Sequence, residues 1–535
     1  MSPYFSLMRI ILLTILVAEL SLSAGQQRFL DSLRVQKEFA LIVGDYSKFA
    51  FDTKPIKCLT PLIMDVRRNS QFLTRSQLSR FMEIISRPAL PRSIVSPSGH
   101  FRIHYDPAYV DSEYLARCAS YFDYAWHVEV DSFGFLPPVP DGTLGGDSLL
   151  DVYILRLPAG QYGMTIADDI PGPAPWNDSP AFIKIRNEYD SFPPNDDPEG
   201  SEWGALKVTA AHELFHAIQM AYDKDEEVWM LEIASVWMED MVYNYVNDYY
   251  NYLNYFYDYP WLSLLELSTH MYASAVFFRY FSDNYGYTII KRIFEQARYF
   301  DGMYAISAAL DSQHLDINTE FAKFVGWNFI TDTLADSFHY EEATSYPPME
   351  VEATVISLPY TYSPRYSRSP RSWGANYIYI PSPPPYLKAT ISGATTVFWN
   401  IVAVILSDSS NIITGVDSIW ISTHGLPVAV AVAPSGINNP YNVFPYTLTI
   451  YGYENIEEKY TFSEKGIKIF PNPFNEALNI KVTSPSKIYI YSVDGKLVDV
   501  LSAIDSYRWV PENLPSGIYL IKSIYSPPVK AVLLR

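Results

Sequence analysis

The chain has 535 residues, of which 48% are hydrophobic and 18% charged, and its formal net charge is −20. This length exceeds a single hydrophobic core and predicts about three or four domains, while the composition excludes a disordered chain. The negative charge argues against nucleic acid and anionic lipid as partners, because phosphate binding needs clustered lysine and arginine.

The N-terminus has the pattern of an export signal. Arg9 precedes a short apolar run at 10–18, and small residues follow it. The run is too short to span a bilayer but has the length of a signal-peptide core. We therefore predict a signal peptide over residues 1–25 and no membrane span in the rest of the chain.

Residues 26–95 have a helical pattern and end in a proline-rich stretch. The segment is either a propeptide or an integral helical cap, and the sequence leaves both open. Cys58 within it and Cys118 beyond it are the only cysteines. In an exported protein such a pair forms one disulfide or stays as two buried thiols. Two cysteines are too few for a typical structural zinc site.

From residue 96 the pattern predicts a mixed α/β layer. A strand at 100–105 precedes a helix over about 112–130, and further strands follow at 149–155 and 181–185. We expect the strand at 181–185 to lie beside the active helix and to bind an extended substrate antiparallel to itself.

An H-E-x-x-H motif lies in the helical stretch that follows, at His212, Glu213 and His216. Residues four apart share one helix face, so both histidines can bind one metal ion, while Glu213 can reach a water molecule without being a ligand. A catalytic zinc site needs a third protein ligand. Metzincins supply a histidine after a glycine, but Gln219 and Tyr222 occupy those positions, which excludes that class.

Residues 229–240 supply the best third ligand. Glu232 has apolar neighbours, so its burial is costly unless a cation compensates. Glu239 lies two helical turns further along the same face, where it can accept a hydrogen bond from a ligand imidazole. A solvated position for Glu232 on the helix surface is the alternative.

This arrangement resembles gluzincins, the zinc peptidases of the thermolysin and aminopeptidase N type. In the aminopeptidase N-like members, H-E-x-x-H is followed by a helix reading N-E-G-F-A-x-x-x-E. Glu232 and Glu239 match that register, whereas Leu231 and Ile233 replace its asparagine and glycine. The resemblance implies a zincin-like fold, Zn²⁺ as the cofactor, and peptide-bond hydrolysis with Glu213 as the general base.

The same family places a tyrosine at the head of a later helix, in Y-x-K-G-A, to stabilise the oxyanion. Tyr272 resembles it, although Ser274 and Ala275 replace the lysine and glycine. His270 is the competing candidate. Residues 95–340 also resemble a group of exported bacterial metalloproteases. The chain has no G-x-M-E-N segment of the aminopeptidase type, so an endopeptidase is favoured.

Two acidic loops, at 141–151 and 195–202, offer oxygen ligands for Ca²⁺. Their spacing follows no recognised calcium motif, and solvated loops are the alternative.

The last two regions, 346–458 and 459–535, have the short strands and turns of β-sandwiches. The final region carries P-N-P-F from Pro471, Y-S-V-D-G-K-L-V from Tyr491 and L-P-S-G-I-Y-L-I from Leu514. This series resembles type IX secretion C-terminal sorting domains. The resemblance implies a secreted or cell-surface protein that contacts the secretion machinery.

The sequence thus predicts a multidomain α+β protein in which a zincin-like metallopeptidase domain over 96–345, with a mixed sheet and active-site helices, precedes two β-sandwich domains. The predicted function is a secreted zinc endopeptidase acting on protein or peptide substrates. One alternative is an inactive zincin-fold adhesin or glycan-binding protein. A purely structural zinc site is another, and a count of three ligands argues against it.

Overall fold

The computed structural model describes residues 24–45, 56–455, 467–482, 486–493, 496–503, 506–511, 514–523 and 526–534. The predicted signal peptide lies outside the described residues except for its last two. The chain divides into two compact units, with the division after Tyr453. The first unit contains helices and mixed or antiparallel sheets, and the second contains sheets, so the multidomain α+β class is confirmed.

The described helices are α1 (Ala24–Ile42), α2 (Thr60–Arg68), α3 (Arg75–Ile84), α4 (Ser112–Trp126), α5 (Ser201–Gln219), α6 (Val228–Val242), α7 (Tyr250–Tyr257), α8 (Thr269–Ala273), α9 (Val276–Tyr285), α10 (Thr288–Ala297), α11 (Met303–Asp311) and α12 (Ile317–Trp327). The strands of the first unit are β1 (Ile56–Cys58), β2 (Arg92–Val95), β3 (Phe101–Tyr105), β4 (Leu150–Leu155), β5 (Gln161–Ala167), β6 (Ala181–Arg186), β7 (Ala353–Thr354), β8 (Tyr360–Tyr362), β9 (Asn376–Ile380), β10 (Tyr386–Gly393), β11 (Phe398–Ile405), β12 (Asn411–Val416), β13 (Ser418–Ser422), β14 (Val428–Ser435) and β15 (Tyr446–Tyr453). Those of the second unit are β16 (Ile467–Phe470), β17 (Leu478–Val482), β18 (Ser486–Ser492), β19 (Leu497–Ala503), β20 (Ser506–Trp509), β21 (Gly517–Ser523) and β22 (Ser526–Leu533).

A six-stranded mixed sheet carries the candidate site, with the strand order β1-β5-β6-β4-β3-β2. Strands β3, β4 and β6 run parallel to one another, and β5 pairs antiparallel with β6 and parallel with β1. Both edge strands come from residues 26–95. In this structure that segment is therefore built into the sheet.

Helices cover both faces of this sheet. Side chains of α4 and α5 share one core with inward-facing residues of β3, β4 and β6, such as Val152 and Ile183. On the opposite face, Val35, Ile63 and Phe81 from α1–α3 pack against residues of β4, β5 and β6. The N-terminal helices thus shield an apolar sheet face that would otherwise meet water.

The expectation that residues 181–185 bind substrate is wrong. These residues form β6, which is paired with β5 on one side and β4 on the other, so it has no free edge. Strand β5 was not predicted from the sequence, although Tyr162, Met164 and Ile166 alternate with Gln161, Gly163 and Thr165. Six of its seven residues are buried, so the residues between the apolar ones face the core as well.

Two sheets, β13-β10-β15-β8 and β12-β11-β14-β9-β7, form a sandwich over the predicted region 346–458. Residues from both sheets, such as Ile401 and Leu448, enclose a common core. The outer face of β11 and β14 also packs against α12, and the Tyr377 hydroxyl donates a hydrogen bond to Val325 O at 2.9 Å. The sandwich therefore belongs to the same compact unit as the six-stranded sheet.

The second unit has a three-stranded sheet, β16-β17-β20, and a four-stranded sheet, β19-β18-β21-β22. Its core includes Ile480, Ile490, Trp509 and Ile521. Across the described parts of both units, we find no helix that combines the length and apolar character needed to cross a bilayer.

Candidate metal centre

Helix α5 presents the H-E-x-x-H side chains inside the first unit. Every residue from Gly204 to Gln219 is buried, because the helix lies between the six-stranded sheet and α6. The helical repeat brings the His212 and His216 rings together, with their Nε2 atoms 3.1 Å apart. Two imidazoles on adjacent turns can therefore bind one ion.

Helix α6 adds Glu232, which is fully buried. Its Oε1 lies 2.9 Å from His216 Nε2 and its Oε2 lies 3.6 Å from His212 Nε2. Neither carboxylate oxygen has a hydrogen bond of standard geometry within the described chain. A buried carboxylate with this surplus of lone pairs is unfavourable without a cation.

The outer nitrogens of both imidazoles are hydrogen-bonded. His212 Nδ1 lies 2.6 Å from Glu239 Oε1, and His216 Nδ1 lies 2.7 Å from Gln219 Oε1. The Gln219 amide donates from Nε2 to Leu231 O at 2.9 Å, which fixes its oxygen towards His216. Since both partners accept, both Nδ1 atoms carry a proton, and the Nε2 atoms are the ones that point inward and can bind an ion.

A further donor reaches this cluster from strand β1. Cys58 Sγ lies 3.3 Å from His216 Nε2, and the ligand atoms of Cys58, His212, His216 and Glu232 all lie within 4.8 Å of one another. Zinc bonds of about 2.0–2.3 Å give tetrahedron edges of about 3.3–3.8 Å. The His212–His216, Glu232–His216, Glu232–His212 and Cys58–His216 separations are 3.1, 2.9, 3.6 and 3.3 Å, and the other pairs lie within 4.8 Å, so small shifts would bring the four groups around one tetrahedral ion.

The pKa values of the clustered side chains also favour a cation at this position. Burial alone lowers the pKa of His212, but its contacts with Glu232 and Glu239 outweigh burial and raise the pKa to about 10. Burial of Glu232 is likewise outweighed by the two histidines, which lower the pKa of its carboxyl to about 2. In the metal-free protein a proton on His212 Nε2 compensates the charge of the Glu232 carboxylate. A divalent cation would take the place of that proton. Two protonated Nε2 atoms at this separation would repel each other, whereas one cation serves all four groups.

Glu213 faces strand β5. Its Oε2 accepts a hydrogen bond from Thr165 Oγ1 at 2.6 Å, and its Oε1 is buried without a partner in the described chain. A Cβ at Gly163 would lie 2.9 Å from that Oε1, so only glycine leaves it room. Burial raises the pKa of the Glu213 carboxyl, which is the direction that a general base needs.

Of the two oxyanion candidates, the structure brings Tyr272 to the cluster. Its hydroxyl accepts a hydrogen bond from Cys58 N at 3.3 Å and lies 3.4 Å from Cys58 O. The His270 ring instead lies beside Phe256, with Nδ1 3.1 Å from Ser274 Oγ. Burial lowers the pKa of His270 to about 3, so its imidazole is neutral.

Sequence reasoning missed Cys58 and its neighbour Lys57. Both are buried, and Lys57 Nζ contacts Asp248 and, at 2.8 Å, Glu239 Oε2. Both cysteines are free, and Cys118 lies on the buried face of α4, so the alternative of a disulfide is not realised. With Cys58 the candidate ligands number four, so a count of three no longer argues against a structural zinc site.

Acidic side chains of the two predicted calcium loops are paired with basic residues. Asp141 lies 2.8 Å from Arg87, and Lys207 lies 2.7 Å from Asp197 and 2.6 Å from Glu199. Across the described residues, no second group of three or more His, Cys, Asp or Glu side chains converges as the Cys58 cluster does. Calcium binding by these loops therefore stays a prediction, because their described acidic side chains form no group that could hold an ion.

Comparison with known families gives two matches. Residues 203–396 match a profile described as a family of unknown function (DUF6055). Residues 468–525 match the secretion system C-terminal sorting domain, which confirms the predicted type IX sorting domain. The chain is thus a secreted or cell-surface protein whose C-terminal region directs it to the secretion machinery. No curated protein matches the sequence.

Similarity to solved structures is weak. Faecalibacterium prausnitzii β-glucuronidase has 10% identity and a TM-score of 0.12, with 31% of this chain and 38% of that chain covered. A Ruminococcus gnavus β-glucuronidase has 10% identity and a TM-score of 0.11, with 30% and 35% covered. The Endo-D glycoside hydrolase domain of Streptococcus pneumoniae R6 has 8% identity and a TM-score of 0.12, with 33% and 36% covered. The chain thus spans little more than a third of these proteins, and such scores carry no argument about fold or function.

Proposed function

We propose that this protein is a secreted zinc-dependent endopeptidase with a gluzincin-type site. The supporting observation is the convergence of His212, His216 and Glu232 beside a buried Glu213 whose Oε1 has no partner in the described chain. Three such ligands next to a free carboxylate oxygen are the arrangement of metal-assisted hydrolysis.

Each residue has a separate task in this proposal. Zinc at this site would act as a Lewis acid towards a water molecule and the substrate carbonyl. Glu213 Oε1 takes the proton of the attacking water and passes it to the leaving amine, while Thr165 holds the other oxygen. Glu239 and Gln219 keep both imidazoles in the tautomer that binds the metal. The Tyr272 hydroxyl donates to the carbonyl oxygen as negative charge develops there.

The substrate backbone would pair with β5. In the six-stranded sheet β5 is next to the edge, and only the short strand β1 lies beyond it. Backbone pairing gives affinity with little demand on sequence, which suits an endopeptidase. The missing G-x-M-E-N segment supports the same choice.

Glu213→Gln tests this function. The variant should keep zinc, because Glu213 is not among the ligands, and should lose casein cleavage by at least about 100-fold, since amide cannot take the proton. Glu202→Gln is the matched control on the same helix and should cleave at the wild-type rate. A Glu213→Gln protein that binds zinc and cleaves casein normally would rule the mechanism out.

A second candidate is a binding protein in which the metal is purely structural. Cys58 favours it, because a site with four protein ligands is typical of structural zinc. A groove lined by exposed Tyr299, Phe300, Tyr304 and Tyr441 offers the aromatic surface that glycan binding uses. This candidate predicts one zinc per chain, no proteolysis by any form of the protein, and glycan affinity lost in Tyr304→Ala.

A further inference from the structure

Strand β1 places a sulfur atom among the proposed zinc ligands. Cys58 is 1% exposed, and its Sγ lies with the ligand atoms of His212, His216 and Glu232 inside the 4.8 Å cluster. We propose that the Cys58 thiolate is the fourth protein ligand of the metal ion, and that β1 thereby occupies the substrate side of the site. The inference deepens the proposed function and rests on it for the identity of the ion as zinc.

The backbone of β1 holds Cys58 in that position. Strand β1 runs along β5 with Cys58 opposite Gly163, and Leu59 N donates to Gly163 O at 3.2 Å. One step further, Thr165 N donates to Thr60 Oγ1 at 2.8 Å. These bonds direct the thiol to the strand position that faces Glu213 and the two histidines.

Charge balance supports a thiolate ligand. Binding converts the Cys58 thiol into a thiolate and releases one proton to solvent. Thiolate and the Glu232 carboxylate together carry two negative charges, which one divalent ion neutralises, and both imidazoles are neutral in the tautomer described above. The ion and its four ligands then carry no net charge, which avoids the cost of an uncompensated charge within the buried ligand set. Sulfur with imidazole nitrogen is also a donor set that zinc prefers.

The number of protein ligands decides whether water can reach the metal ion. With four protein ligands, a tetrahedral ion has no position left for water. The Tyr272 hydroxyl is also engaged, because it contacts both N and O of Cys58. The Cys58 peptide therefore uses the group that the proposed mechanism reserves for a substrate carbonyl.

Strand β1 thus combines three properties of a built-in inhibitor. It pairs with the β5 edge where substrate would bind, it supplies the ligand that excludes water, and it contacts the oxyanion tyrosine. Lys57, the middle residue of β1, also binds Glu239, the residue that orients His212. Catalysis accordingly requires Cys58 to leave the metal.

X-ray absorption at the zinc edge of the wild-type full chain tests the ligand. We expect one sulfur at about 2.3 Å and three nitrogen or oxygen atoms at about 2.0–2.2 Å. Cys58→Ser should lose the sulfur, whereas Cys118→Ser, which removes the other buried thiol, should keep it. A wild-type spectrum without sulfur, or a sulfur that survives in Cys58→Ser, would overturn the proposal even if a variant folds poorly.

Binding of acetohydroxamic acid, a small zinc ligand, tests the blocked position. Cys58→Ser should bind it at least about tenfold more tightly than wild type or Cys118→Ser, because a water position opens. Equal affinities would contradict the blocking role. Sulfur coordination in a chain that never cleaves casein would refute the peptidase but keep Cys58 as a ligand, so the two failures are distinguishable.

Discussion

Lys57 and Glu239 form a buried ion pair, with Lys57 Nζ 2.8 Å from Glu239 Oε2. The other oxygen of Glu239 accepts the hydrogen bond from His212 Nδ1. One carboxylate therefore links the N-terminal segment to the metal centre. Burial lowers the pKa of Lys57, but Asp248 and Glu239 outweigh burial and raise it, so the lysine stays charged.

Lys57→Met should destabilise the first unit. The change leaves Glu239 and Asp248 without their buried cation, and breaking a buried pair from one side costs about 3–5 kcal/mol. Denaturant unfolding of the zinc-free full chain measures the effect. Arg80→Met removes the exposed pair of Arg80 with Glu83 and should cost no more than about 1 kcal/mol. An equal loss of unfolding free energy in the two variants would show that the buried Lys57 pairs stabilise the protein no more than an exposed pair does.

Gly163→Ala should reduce catalysis while zinc remains bound. The added Cβ would lie 2.9 Å from Glu213 Oε1 and 3.1 Å from Lys184 O, so the general base must move. We expect kcat for casein to fall about 10- to 100-fold, since small displacements of a reacting group have effects of this order. Gly517→Ala, where an added Cβ has no contact closer than 4.0 Å, should change neither quantity. Unchanged kcat in Gly163→Ala would place Glu213 outside the reaction.

Glu226 should make stability fall as the pH rises. Burial raises the pKa of its carboxyl to about 8, above the value of about 4.3 in an unfolded chain. A raised acid pKa means that the native state binds the proton more tightly, so its stabilisation is complete below pH 4 and is lost as the pH rises towards 8. The loss amounts to a few kcal/mol at about 1.4 kcal/mol per pKa unit.

Glu226→Gln isolates this effect. The amide oxygen can keep the hydrogen bond that Gly302 N donates to Glu226 Oε1 at 2.8 Å, but it does not ionise. Unfolding measured at pH 5 and pH 9 should show a smaller pH dependence in the variant, while the surface control Glu83→Gln should behave as wild type. A variant with the full wild-type pH dependence would assign the effect to other groups.

Basic residues should be favoured next to the scissile bond. The Lys57 ammonium lies 5.4 Å from the Tyr162 ring centroid and 5.1 Å from that of Tyr252, and it contacts Asp248. When β1 leaves, this anionic and aromatic pocket is free for a lysine or arginine of the substrate. Mapping of casein fragments by mass spectrometry should show the preference in wild type and in Asp196→Asn, and lose it in Asp248→Asn. Fragments without a basic preference would contradict this assignment of the pocket.

The sequence predicted the parts of the site that lie close together along the chain. His212, His216, Glu232 and Glu239 occupy two consecutive helices, where the helical repeat alone places side chains on one face. Periodicity thus pairs His212 with His216 and Glu232 with Glu239, but the two pairs converge only because α5 packs against α6. Their roles in metal binding stay predictions.

The remaining parts depend on strand pairing between distant segments. Cys58, Lys57 and Thr165 come from β1 and β5, and no local pattern states which strands are neighbours or in which register. For the same reason the substrate edge was assigned to β6 and not to β5.

Zinc content and casein cleavage, measured together on the secreted protein, test whether this is a zinc peptidase. We expect one zinc per chain in wild type, a large loss of zinc in Glu232→Ala, which removes a proposed ligand, and cleavage that stops when a chelator removes the metal. A wild-type chain that is purified with zinc present and holds none would rule out the zinc site. Casein cleavage that continues at the same rate in the zinc-free protein would rule out zinc-dependent hydrolysis.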